Sequence, residues 1–262
     1  MKFKTIELDY RGPVVWLYLN RPEAMNAISI TMQLEMRQVW HLLREDRAVR
    51  VVVVSGRGRA FCAGADLKAD APEASDDGAP APEFIDVAEE TDAVLAAFPK
   101  PVIAALNGIT CGGGLETALM CDLIVARKSA KIGDAHINFG MLPGGGATVR
   151  IPRLIGLMRA RYLMYSGELR SAEEMEAIGL IAKVFPDETF EADVQALADK
   201  LASRSPLALA RMKRLINDSF DQSTAASLRA EKQVVRQHMK SADAAEGMAA
   251  FSAKRPPVFK GY

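Results

Sequence analysis

Apolar residues recur along this chain at two spacings, and the change of spacing marks its elements. Residues 4–8 and 14–19 are short runs separated by Arg11-Gly12-Pro13, a turn signal that predicts a strand hairpin. Ser29 is placed to cap a helix reaching about residue 46, because Met32, Met36, Val39, Trp40 and Leu43 follow at intervals of three and four. Three further apolar runs, residues 51–54, 102–106 and 123–126, are separated by helical segments. That alternation predicts parallel strands with helices on their faces, an α/β fold. After Pro152 the pattern turns almost wholly helical. Ser171 with Glu174 forms a capping box for a short helix ended by Gly179, and helical patterning fills residues 190–203, 206–220 and 224–239. Residues 66–82 fit neither period: rich in Ala, Asp, Pro and Glu, they bury little and read as a mobile loop, or as a rim over a neighbouring site.

Two of the strand-like runs lead into turns of small residues. The first is Arg59-Ala60-Phe61-Cys62-Ala63-Gly64-Ala65-Asp66-Leu67-Lys68, the second Asn107-Gly108-Ile109-Thr110-Cys111-Gly112-Gly113-Gly114-Leu115-Glu116. Small side chains let a ligand approach bare backbone N–H groups, and a glycine run feeding a helix aims several unpaired N–H groups at one point. Two such turns converging on one oxygen make an oxyanion hole, which stabilises negative charge on a carbonyl without a metal.

Bulk composition narrows the functions compatible with such a site. The 262 residues are 49% hydrophobic, enough for a sizeable core, and 33 basic residues balance 33 acidic ones. No net field is available to attract nucleic acid or an anionic membrane, and no run of apolar residues is long enough to span one. With no signal-peptide pattern at the start, the cytoplasm is the expected compartment. Cys62, Cys111 and Cys121 show no metal-ligand spacing and read as small buried residues, so no metal is expected.

Together with Asn20-Arg21-Pro22-Glu23-Ala24-Met25-Asn26-Ala27 and Glu246-Gly247-Met248-Ala249-Ala250-Phe251, the two turns resemble the crotonase, or enoyl-CoA hydratase/isomerase, superfamily, in register over nearly the whole chain. The resemblance implies a spiral of ββα turns over residues 1–195 holding the acyl-CoA site, and a helical carboxy-terminal region, residues 196–262, that trimerises. It implies a homotrimer or dimer of trimers, and coenzyme A as part of the substrate with no separate cofactor. It assigns the oxyanion N–H groups to Ala65 and Gly113. It also points to Ala24, Asp66, Leu67, Lys68 and Gly144 along the substrate and CoA path, and to Phe251 and Lys254 as residues that close a neighbouring subunit's nucleotide pocket.

Glu116 aligns with one of the two catalytic glutamates of enoyl-CoA hydratases. The position of the other is occupied by His136, within Ala130-Lys131-Ile132-Gly133-Asp134-Ala135-His136, and Asp134 is placed to orient it or to substitute for it. Histidine titrates near neutrality, so Glu116 and His136 can still divide acid and base roles. The resemblance therefore implies an enoyl-CoA hydratase or lyase that stabilises a thioester enolate. A CoA-thioester or β-diketone hydrolase, an enoyl-CoA isomerase, and a catalytically silent acyl-CoA binder are the alternatives.

Overall fold

The computed structural model describes residues 3–66 and 83–261. It is an α/β fold with two sheets, between which the strands in the middle of the chain alternate. The hairpin forms as expected: β1 (Ile6–Arg11) pairs antiparallel with β2 (Val14–Leu19) across the Gly12 turn. Ser29 caps α1 (Ile30–Glu45), its hydroxyl accepting the Met32 N–H at 3.2 Å.

Three ββ units then follow, each sending its first strand to a large sheet and its second to a small one. They are β3 (Val51–Gly56) with β4 (Ala60–Cys62), then, after α2 (Phe84–Ala96), β5 (Val102–Leu106) with β6 (Ile109–Cys111). After α3 (Gly113–Leu119) come β7 (Leu123–Arg127) and β8 (Lys131–Gly133). The small sheet is completed beyond α4 (Ala147–Ile155) and α5 (Leu157–Ser166) by β9 (Arg170–Ser171). The large sheet ends, after α6 (Ala172–Ala177), with β10 (Lys183–Phe185). The large sheet has the order β1-β2-β3-β5-β7-β10, parallel from β2 onward; the small sheet has the order β4-β6-β8-β9. This repetition of β, β, helix is the expected spiral.

Period-two alternation places the core on both faces of the large sheet. Val15, Leu17 and Leu19 of β2, with Val52 and Val54 of β3, pack towards α1 and the small sheet around Trp40, Phe61 and Phe98. Val14, Trp16 and Tyr18, with Val51 and Val53, face the opposite way and are covered by α7 (Phe190–Ala202) through Phe190, Val194 and Ala198. The boundary drawn at residue 195 falls within α7. Beyond it lie α8 (Pro206–Ser219), α9 (Thr224–His238) and α10 (Ala242–Ser252), and the tail returns to the core where Arg50 donates to the Phe259 carbonyl at 2.7 Å.

Two details after residue 146 depart from the sequence reading. Helix α4 starts before Pro152 and carries it in its interior, where the ring removes one intrahelical bond from a helix that ends three residues later. The strands β9 and β10 interrupt the region read as helical; at two and three residues they are too short to impose a period. The capping box of Ser171 and Glu174 forms as expected, with Gly179 following the helix at φ 86°.

Candidate active site

The two small-residue turns meet through close backbone approach, tightest at Gly114. Gly114 lies so near β4 that a Cβ there would stand 2.3 Å from the Cys62 carbonyl, and Gly112 turns the chain into α3 at φ 55° and ψ −133°. A Cβ on Gly113 would lie 3.5 Å from the Ala65 nitrogen, and one on Gly64 would lie 3.7 Å from the Gly113 nitrogen. The Ala65 and Gly113 amides are thus neighbours. Within the described residues neither donates a hydrogen bond, whereas the peptide groups on either side of Ala65 are engaged: the Asp66 amide donates to the Ile28 carbonyl at 2.9 Å, and the Gly64 carbonyl accepts the Ile28 amide at 2.8 Å. Gly113 is the first residue of α3, where the amide has no intrahelical acceptor. Two open donors of this kind can hold one oxyanion.

Glu116 stands in the first turn of α3 and is buried, with its carboxylate held rather than free. Its Oε1 accepts the amides of Gly145, in the loop before α4, at 2.7 Å and of Ala147, the first residue of α4, at 3.1 Å. Its Oε2 faces His136 Nε2 at 3.7 Å, a charge contact longer than a hydrogen bond. His136 opens a 3-10 turn, His136–Phe139, after Ala135 at φ 61°. Its other nitrogen, Nδ1, lies 3.0 Å from Oδ1 of buried Asp134, whose own carbonyl accepts the Gly112 amide at 2.8 Å. The Asp134 hydrogen bond raises the His136 pKa above the ordinary histidine value, against the opposing effect of burial and with further help from the charges of Asp134 and Glu116. His136 Nε2 is also 3.7 Å from where a Cβ on Gly112 would be, so the imidazole borders the amide pair.

The remaining expected residues are distributed unevenly. Ala24 ends a 3-10 turn, Pro22–Ala24, and this segment is tied to the first glycine turn through buried Asn26. The Asn26 amide donates to the Arg57 and Ala60 carbonyls, at 2.9 and 2.8 Å. Asp66 forms an ion pair with Arg21 at 2.8 Å. Leu67, Lys68 and nearly all of the Ala/Asp/Pro stretch lie outside the described residues. Gly144 is exposed, and it is Gly145 and Ala147 that donate to Glu116. Phe251, on α10 and 87% exposed, and Lys254 just beyond it make no side-chain bond to any of these groups among the described residues.

Sequence reasoning passed over Gly145 and Ala147. They are signalled only by a glycine run before a helix, and which amide points inward depends on the turn at Gly146, φ 99°. Burial pushes the Cys62 thiol up to about 12, leaving it no thiolate to act as a nucleophile. No group of three or more metal-ligating side chains occurs among the described residues, and no helix among them is long and apolar enough to cross a membrane.

Known proteins match the chain over nearly its whole length. The family model described as enoyl-CoA hydratase/isomerase matches residues 10–262. A 2,3-dehydroadipyl-CoA hydratase of Escherichia coli is 38% identical over 249 residues, 95% of each chain. A crotonyl-CoA hydratase of Syntrophomonas wolfei is 33% identical over 264 aligned positions, 99% of each chain. The crystal structure of an enoyl-CoA hydratase from Bacillus anthracis, 36% identical, matches with a TM-score of 0.91 over 99% of this chain and 100% of that one.

Proposed function

The chain belongs to the enoyl-CoA hydratase/isomerase family, and from that premise we propose that it hydrates a 2-enoyl-CoA thioester, with Glu116 and His136 as its acid–base pair. The observation that carries this reading is the pair of open amides, Ala65 and Gly113, beside a carboxylate held by two N–H groups and an imidazole held by another carboxylate.

The steps follow from those placements. The thioester carbonyl oxygen accepts both amides, which favour the enolate over the neutral carbonyl. Glu116 takes a proton from water as its oxygen bonds to C3, and the C2=C3 electron pair moves towards the thioester. His136 in its protonated form, which the Asp134 hydrogen bond favours, delivers a proton to C2. Glu116 is then protonated and His136 neutral, and the 3.7 Å between Oε2 and Nε2 lets the proton return between them. Asp134 is a positioning residue: it fixes the ring and the proton on Nδ1. A hydrolase is the second reading, favoured by the Asp134–His136 pair, which can also direct water at the thioester carbon.

One assay separates the two. Incubation with a panel of 2-enoyl-CoA thioesters should give products heavier by one water, with loss of enoyl-thioester absorbance; release of free CoA in its place favours the hydrolase. His136→Ala is expected to lower kcat by roughly a hundredfold with little change in KM. The pH profile gives the sign of its role. A raised pKa keeps an acid protonated to higher pH, so wild-type activity should persist above the ordinary histidine range and fall as pH rises past it. The variant should lack that alkaline fall, and if it keeps both rate and profile the histidine is a bystander.

We also propose a homotrimer or dimer of trimers that binds acyl-CoA across subunits. Phe139, Leu142, Met158, Tyr165, Phe220, Phe251 and Val258 are exposed apolar residues in the single chain, and α8 and α9 contain no buried residue. Light scattering at micromolar concentration should give a mass of three or six chains of 28.4 kDa. A stable monomer overturns this, and with it the assignment of Phe251 and Lys254 to a neighbour's pocket.

A further inference from the structure

Residues 20–28 stand behind both open amides, and one charged side chain among them takes no part in the steps above. Their backbone meets the first glycine turn on either side of Ala65: the Ala63 amide donates to the Met25 carbonyl at 3.1 Å, and Ile28 is bonded to both Gly64 and Asp66. The same segment meets the second turn, because a Cβ on Gly113 would lie 3.5 Å from Ile28 Cδ1. Where this segment sits therefore governs the direction of the Ala65 N–H and its distance from that of Gly113.

The segment is bent in a way that needs holding. Met25 and Asn26 are consecutive non-glycine residues in the left-handed region, at φ 52° and 56°. Side chains disfavour that region, which persists where surrounding bonds over-determine it. Asn26 supplies several of them: its Oδ1 accepts the Arg21 amide at 2.9 Å, and its own amide donates to the Arg21 carbonyl at 2.9 Å. The Arg21 guanidinium adds a bridge. Its Nη1 donates to the Ala27 carbonyl at 2.7 Å, just past the left-handed pair, and its Nη2 pairs at 2.8 Å with Oδ2 of Asp66, the residue next to Ala65. The two side chains are only 21% and 15% exposed, so this charge-assisted contact is little screened by salt.

We propose that Arg21 is a positioning residue for the Ala65 donor: by spanning Ala27 and Asp66 it holds the bent segment against the first glycine turn and keeps both amides aimed at one oxygen. This rests on the reading of Ala65 and Gly113 as the carbonyl-binding pair. Arginine suits the place because its planar fork reaches two acceptors in fixed directions, whereas a lysine ammonium is a single point charge. A donor held in place matters most when the oxygen carries most charge. The contribution of Arg21 therefore falls on the transition state more than on binding of the ground-state thioester.

The test joins kinetics on a 2-enoyl-CoA to the C=O stretch of bound butyryl-CoA, which has no double bond to hydrate; isotope-edited infrared difference spectra of a labelled carbonyl isolate that band. In the wild type the stretch should lie below that of the free thioester, because two donors polarise the carbonyl. Arg21→Met should lower kcat by roughly tenfold to a hundredfold with little change in KM, and should move the stretch back towards the free value. Asp66→Asn, which keeps the shape and removes the charge, should act in the same direction, and the double variant should be no worse than Arg21→Met alone. Arg21→Lys should recover part of both losses, and with Asp66→Asn it carries the test if the methionine variant does not fold. Folded variants with wild-type kcat and stretch overturn the proposal, as does a raised KM at unchanged kcat, which makes Arg21 a contact of the CoA. If butyryl-CoA does not bind to the wild type, or binds with its stretch unmoved, the reading of the amide pair itself falls.

Discussion

Gly113→Pro is expected to lower turnover of a 2-enoyl-CoA by about a hundredfold to a thousandfold while leaving the fold intact. Proline removes the N–H that Gly113 offers to the carbonyl oxygen, and losing one donor of this kind costs roughly 3 kcal/mol of transition-state stabilisation. The position suits the test because Gly113 is the first residue of α3, where proline is accepted and the amide has no intrahelical partner. A Cβ there meets its nearest neighbours at 3.5 Å, an ordinary contact. Circular dichroism should match the wild type, with the loss concentrated in kcat. A folded variant with near-normal turnover would remove Gly113 from the oxyanion pair.

Glu116→Gln is expected to cost at least as much as the loss of His136, roughly a hundredfold or more in kcat. The amide side chain keeps the shape of the carboxylate, and its oxygen can still accept the Gly145 and Ala147 amides, so the loop before α4 should stay in place. What is lost is the ability to take a proton from water, together with the negative charge facing His136. That second loss predicts a secondary effect: without the Glu116 charge, the alkaline limb assigned to His136 should move to lower pH, since this charge is one of the causes of its raised pKa. Full activity with the glutamine in place would transfer the base role elsewhere, Asp134 first.

How much of this was legible in advance follows from what each signal depends on. The strands and α1 are written in local alternation, and Ser29 and Ser171 cap because a hydroxyl ahead of a helix has amides to accept. The glycine turns are legible because only glycine tolerates the approach of α3 to Cys62 and the φ of Gly112. The pairing of Glu116 with His136 came from a resemblance, since two strands, β7 and β8, separate them in the chain. The amides holding Glu116 escaped notice because a loop's dihedral angles, rather than its residue types, decide whether Gly144 or Gly145 points inward.

The strand pairs of the spiral have a consequence for how such a protein can change its chemistry over time. Each turn contributes a separable fitting at the end of its small-sheet strand: Ala65 after β4, Gly113 with Glu116 after β6, and Asp134 with His136 after β8. Their backbones are bonded to one another through main-chain atoms, as in the Gly112 amide to the Asp134 carbonyl, and those bonds are indifferent to side-chain identity. Side-chain identity at the third turn can therefore change while the amides proposed to bind the carbonyl keep their spacing. On that reading, inheritance of the thioester site is uncoupled from inheritance of the proton-transfer group, and a lineage can explore new reactions one turn at a time without first dismantling the old binding mode.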